Sequence, residues 1–181
     1  MMKTNHTKHQ VLSVMISLTI ILLPLSLSGQ GTKSDFSGSW TYNKEMSDAG
    51  QPQGERSGGP GRGGFGGGNF TVKQESNLLT VERTINAPDG TTSTSVSKYT
   101  LDGKECLNSS RMGESKSTAT WSADGKKLTI KTTRTMNRGG ESRTVTSIEV
   151  WNLADPKKLT IEMTMPSPDG ERKMTSVYTK K

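Results

Sequence analysis

Two arginines occupy positions where an apolar side chain is expected. Successive strand residues point to opposite faces of a sheet, so Arg83 shares a face with Leu79 and Val81, and Arg134 shares one with Leu128. A guanidinium presents a planar fork that matches a carboxylate or a phosphate. Both arginines are therefore candidate anchors for an anionic ligand in an apolar interior. The alternative is that both stand where the interior opens and reach water along their stems.

The large aromatic side chains are the second group of candidates. Tyr99, Trp121, Trp151 and Tyr178 are spread over four predicted strands. Rings of this size bury much apolar area and most often pack a core. The same rings could line a ligand pocket. Both interpretations remain open.

Several kinds of catalytic chemistry are excluded by composition. The chain has two histidines, both within residues 1–28, and one cysteine, Cys106. After loss of that segment no Ser-His-Asp triad, His-containing zinc site or intramolecular disulfide can form. The acids fall mainly at turns or on outward faces, as with Glu82 and Glu162, so a converging carboxylate pair is not evident. We expect no enzyme, no catalytic residue, no metal and no cofactor.

Residues 1–28 are typical of a signal peptide. A polar start carrying Lys3 and Lys8 precedes an apolar run over 11–25. The small residues Ser26 and Ser28 follow this run. The run is shorter than the roughly 20 residues of a membrane span, and no transmembrane segment is expected in the mature form. We expect cleavage after Ser28 or Gly29 and an exported, periplasmic or secreted, bacterial protein.

The charge balance argues against a nucleic-acid partner. The formal charge is +7, and loss of Lys3 and Lys8 from 24 basic residues against 17 acidic ones leaves +5. A single Arg-Gly-Gly unit at 62–64 resembles RNA-binding tails, but one unit in an exported chain is too little for such a function. We expect no nucleic-acid binding.

The mature chain reads as one all-β domain. Segments rich in Thr, Val and Ile alternate with turn signals such as Asp102-Gly103 and Asp124-Gly125, which force antiparallel neighbours and an up-and-down meander. We expect a flexible segment at 29–35, a single domain over 36–181, and a disordered glycine-rich loop at 44–68. The predicted strands cover residues 36–43, 69–75, 77–86, 91–101, 104–112, 115–122, 126–137, 142–152, 157–166 and 171–180.

The sequence resembles a known group of proteins. Gly38 and Trp40 form a G-x-W opening on the first strand, as in lipocalins and other calycins. Residues 36–181 are similar to uncharacterised exported bacterial lipocalin-like proteins, which share FSGSW, YTLDGKE, EVW and KKLTI stretches. The resemblance implies a lipocalin-like barrel of about eight to ten strands. In that family a basic side chain from the last strand covers the tryptophan, and Arg172 or Lys173 is the nearest candidate.

Two functions follow as expectations. The first is a barrel that binds a small amphipathic or anionic ligand through the candidate residues above. The second is a cell-envelope interaction protein with a filled barrel, which contacts an envelope partner through the glycine-rich loop or a basic rim. The oligomeric state is left open. The rim would consist of Lys104, Lys126, Lys127, Lys157 and Lys158.

Overall fold

The protein is all-β, as predicted. The computed structural model describes residues 32–48, 68–86, 91–110, 113–138, 141–167 and 170–181, and no helix occurs in these ranges. Ten strands are found, each within a few residues of a predicted one. They are β1 (Gly38–Asp48), β2 (Phe70–Gln74), β3 (Leu78–Asn86), β4 (Thr92–Thr100), β5 (Cys106–Ser110), β6 (Gly113–Trp121), β7 (Lys127–Arg138), β8 (Glu141–Asp155), β9 (Lys158–Ser167) and β10 (Gly170–Lys180).

The strands form one antiparallel sheet that curls into a nearly closed barrel. The strand order is β4-β3-β2-β1-β10-β9-β8-β7-β6-β5. Chain neighbours therefore pair throughout, as expected of a meander, and the first strand also pairs with the last. The two ends of this order, β4 and β5, are consecutive in the chain and lie side by side where the barrel closes.

The junction of β4 and β5 is held by a side chain in place of a backbone ladder. The Lys98 N–H donates to Asn108 Oδ1 at 2.7 Å, and Asn108 Nδ2 donates to the Lys98 carbonyl at 2.9 Å. A carboxamide offers the same donor and acceptor as a peptide group. Asn108 thus satisfies the backbone N–H and carbonyl of Lys98 at the edge of β4 and joins the two strands.

The apolar core lies at one end of the barrel, which we call the floor. The floor comprises segment 32–37 and the turns at 101–105, 122–126 and 155–157. The early residues of β3, β7 and β9 and the late residues of β8 and β10 meet there, because alternate strands run in opposite directions. The contiguous core consists of Phe36, Trp40, Phe70, Val72, Leu79, Val81, Leu101, Ala119, Leu128, Ile130, Trp151, Leu159, Ile161 and Tyr178.

Phe36 packs at the centre of the floor. Its side chain is fully buried, stacks on Trp121 with ring centroids 5.7 Å apart, and meets Trp151 edge-on at the same distance. The Phe36 carbonyl accepts the indole N–H of Trp40 at 2.9 Å. The amide of Gln74 holds this segment by accepting the Phe36 N–H and donating to the Ser34 carbonyl. Burial of such a ring contributes about 1.5–3 kcal/mol, so residues before β1 are part of the domain.

Two expectations differ from the structure. Residues 44–48, expected in the loop, belong to β1: after a bulge the strand resumes pairing at Asp48, and Ser47 Oγ accepts the Val177 N–H at 2.9 Å. Residues 49–67 of the glycine-rich loop lie outside the described residues.

The basic residue over Trp40 is Lys180, with Nζ 5.5 Å from the ring centroid. The expectation of Arg172 or Lys173 is wrong. The register places Trp40 opposite Lys180, near the end of β10, whereas Arg172 and Lys173 stand near its start.

Candidate functional site

The barrel interior divides into an apolar half at the floor and a polar half beyond it. Inward-facing positions of the polar half carry hydroxyl side chains on five strands. Some are deeply buried: Ser117 is 2% exposed, and its Oγ lies 2.9 Å from Thr132 Oγ1. This lining suits polar groups better than a hydrocarbon chain. The set is Ser95, Ser97, Ser115, Ser117, Thr132, Ser147 and Ser176.

Arg83 lies at the boundary between the two halves. Its register partner on β2 is Phe70, and its guanidinium carbon is 4.7 Å from the centroid of that ring. The side chain is half-buried. None of the three ion pairs between described residues includes Arg83. A cation–π contact with Phe70 thus stabilises the guanidinium, which also hydrogen-bonds Tyr178.

Two tyrosine hydroxyls lie close to Arg83. Burial, aided by the negative charge of Glu149, raises the pKa of Tyr99 to about 12, although Arg83 and Ser97 act in the opposite direction. Burial also raises the pKa of Tyr178, whereas Arg83 and Ser176 act in the opposite direction. Both phenols are therefore protonated at neutral pH and can donate hydrogen bonds.

Glu149 is an acid that faces the barrel interior, which differs from the expected positions at turns or on outward faces. It stands two residues before Trp151 on the inward face of β8, and its Oε2 accepts the indole N–H of Trp151 at 2.8 Å. Its charge reaches Tyr99 and Tyr178 across the interior. The acids were expected mainly at turns or on outward faces. The parity of Glu149 with Trp151 is the signal that identifies its position.

The other predicted site residues are distributed around this centre. Arg134 is half-buried on β7, in register with Ser115 and Val145, farther from the floor than Ile130. Trp121 and Trp151 belong to the floor, where both contact Phe36. The structure thus brings Arg83, Tyr99 and Tyr178 together and places the two tryptophans beneath them. Phe70 and Glu149 complete the cluster, and neither was singled out from sequence.

The predicted basic rim lies at the floor, outside the barrel. Lys104 pairs with Asp102 at 3.1 Å, and the backbone N–H of Lys104 holds the Asp102 pKa down to about 2. The carboxylates of Asp124 and Asp155 accept backbone N–H groups in the neighbouring turns. An adjoining cavity of about 300 Å³ is walled by Lys33, Leu101 and Trp121 among others. The rim carboxylates thus act first as turn-stabilising groups.

Comparison with known proteins supports the barrel architecture. No family model and no curated protein matches the sequence. The structure is similar to zebrafish ileal bile acid-binding protein complexed with cholic acid, with a TM-score of 0.55 and 18% identity over 82% of this chain and 100% of that chain. The fold is that of a calycin-type barrel. A mutant of the fluorescent protein UnaG aligns with a TM-score of 0.49 and 19% identity over 81% of this chain and 96% of that one.

The described ranges hold neither a group of the usual metal ligands nor a membrane-spanning helix. They contain no cluster of three or more His, Cys, Asp or Glu side chains suited to hold a metal ion. No helix within those ranges is long and apolar enough to cross a membrane.

Proposed function

We propose that this calycin-type barrel binds a small anionic amphipathic ligand, with the acid group of the ligand paired to Arg83. The observation that carries the proposal is the placement of Arg83 inside the barrel against Phe70, with no carboxylate partner among the three described ion pairs. Among the described residues no direct ion pair includes this half-buried guanidinium, so a ligand carboxylate would add a favourable charged contact.

The phenols define how the anion is held. Protonated Tyr99 and Tyr178 can each donate a hydrogen bond to an oxygen of the ligand, while Arg83 supplies charge and a second donor pair. The filled floor below stops the ligand from passing deeper. Polar groups of the ligand body would then lie among the interior serines and threonines.

Glu149 restricts the charge of the ligand. Its carboxylate faces the same interior and repels negative charge, so a monoanion suits the site better than a dianion.

The fold similarity supports this chemistry. The zebrafish protein with the same fold is complexed with cholic acid, an acid with a ring body and hydroxyl groups. Binding proteins rather than enzymes share this architecture in the comparison, which supports a function without catalysis. The predicted signal peptide favours action in the periplasm or outside the cell.

Native mass spectrometry tests the proposal. The mature protein is purified from its exporting host and measured before and after organic extraction. We expect a discrete extractable adduct of one small acid per chain, absent from an Arg83→Met variant purified in parallel. A bare chain in both samples would contradict the proposal and favour the envelope interaction protein with a filled barrel.

A further inference from the structure

Three methionines converge on the inward face of the last hairpin. Met163 on β9 is the register partner of Met174 on β10, and Met165 follows Met163 by two residues on the same face. Directly opposed residues have Cβ atoms about 4.5–5.5 Å apart, and diagonal neighbours about 7–8 Å apart. Unbranched side chains can therefore bring three thioether sulfurs to one point.

Two of these methionines are buried and the third, Met165, is half-buried. Met163 is 9% exposed and Met174 is 7% exposed, yet neither belongs to the contiguous core cluster at the floor. Their neighbours on the inward face are mixed. Ile161 of the core precedes Met163 by two residues. On the adjoining strands, Met163 lies beside Glu149 on β8, and Ser176 follows Met174 by two residues on β10. The three methionines therefore stand where the apolar core gives way to polar and charged side chains.

Thioether sulfur is a soft ligand. Among first-row ions it selects Cu(I), and it discriminates against hard cations that require oxygen or imidazole ligands. It carries no proton at any ordinary pH, so metal binding needs no deprotonation of the ligand, unlike binding through a thiol or imidazole.

We propose that Met163, Met165 and Met174 form a binding site for Cu(I). The carboxylate of Glu149, in register beside Met163, supplies a compensating negative charge. Arg172, in register with Met165, carries a positive charge that repels the ion. The ion therefore lies toward Met163, Met174 and Glu149.

The methionine site adjoins the proposed anion site and shares Glu149 with it. Met174 nevertheless precedes Tyr178 by four residues on β10, which is about 13 Å along an extended strand. Substitutions of the methionines leave Arg83, Tyr99 and Glu149 unchanged, so Cu(I) binding and anion binding can be lost in different variants.

The test uses the full mature chain carrying Cys106→Ser, because the half-buried Cys106 thiol is itself a soft ligand. Ag(I) alone serves as a redox-inert probe in calorimetry, and Cu(I) affinity is measured anaerobically by competition with a colorimetric Cu(I) chelator. The test variant is Met163→Leu/Met174→Leu, since Met-to-Leu exchanges conserve volume and keep the fold. The matched control is Met46→Leu, because Met46 is 50% exposed on β1.

We expect one Ag(I) or Cu(I) ion per chain, with affinity weakened roughly tenfold or more for each thioether removed, and no change in the Met46→Leu control. The ε-methyl NMR signals of Met163 and Met174 should shift on Ag(I) addition while that of Met46 does not. Three outcomes would overturn the proposal: no binding beyond that of the double variant, equal loss in the Met46→Leu control, or equally strong binding of Zn(II).

Discussion

The guanidinium of Arg83 lies 4.7 Å from the centroid of the Phe70 ring, at the level where the aromatic floor gives way to a serine-lined interior. The two residues are register partners on β2 and β3, so the contact is fixed by strand pairing. A cation held against an aromatic face gains about 0.5–2 kcal/mol, depending on its desolvation. Phe70 therefore orients Arg83, whose guanidinium also hydrogen-bonds Tyr178.

Neutralising Glu149 should strengthen the binding of an anion. In Glu149→Gln the amide oxygen still accepts the Trp151 indole N–H, so the packing is retained while the repulsion is removed. We expect a gain of about 0.5–1.5 kcal/mol in the binding free energy of an anionic ligand, read from calorimetry at fixed salt. Glu162→Gln is the control, because Glu162 is exposed on β9. Weaker binding in Glu149→Gln would show that the carboxylate contacts the ligand favourably.

Alkaline pH should destabilise the protein through Tyr99. Its pKa is raised from 10.0 to about 12 in the folded protein, so folding favours the protonated phenol. That contribution is complete below pH 10 and is lost as the pH rises toward 12, a total of about 2–3 kcal/mol. Urea unfolding at increasing pH should show this fall, and Tyr99→Phe should show a smaller one. An equal fall in both proteins would contradict the account.

Most of the fold follows from local sequence signals. Alternating apolar residues and turns such as Asp124-Gly125 define the hairpins and hence the meander. The same parity places Arg83 and Tyr99 on the inward face. Lys180 over Trp40 could not be foreseen, because it depends on the register between the first and last strands, which no local turn fixes.

The remaining differences also involve non-local contacts. Asn108 has a role only because β4 and β5 meet without a backbone ladder there, and their spacing is set by the curvature of the whole barrel. The position of Glu149 was accessible from its parity with Trp151. Its proximity to Tyr99 was not, since the two strands lie far apart in the sheet order.

Asn108→Ala should loosen the barrel where it closes. The substitution removes two hydrogen bonds to Lys98, which together contribute about 1–2 kcal/mol to stability. Hydrogen exchange followed by NMR should show faster exchange of the Lys98 amide and little change in the β9–β10 hairpin. Ser109→Ala, at an exposed position on the same strand, is the matched control. Unchanged protection at Lys98 would contradict the assigned role.

Gly38→Ala should destabilise the start of β1. Gly38 has a φ of 135°, which residues with a Cβ rarely adopt, and an added Cβ would also meet the Lys180 side chain. We expect a loss of about 1–3 kcal/mol in the free energy of unfolding, measured in urea. The flexible Lys180 side chain can move aside, so most of the loss comes from backbone strain at the positive φ of position 38. The loss should therefore persist in a Lys180→Ala background. A loss that vanishes in that background would assign it to side-chain contact instead.

The central claim is that Arg83 holds an anion inside the barrel, and the most direct measurement is a calorimetric titration with cholate and with its neutral methyl ester. Wild type, Arg83→Met and Lys131→Met are compared at fixed ionic strength; Lys131→Met removes one exposed positive charge from the outer face of β7. We expect wild type and Lys131→Met to prefer the acid over the ester by about tenfold or more, and Arg83→Met to lose that preference. Equal preference in all three proteins, or no binding of the acid by wild type, would contradict the account.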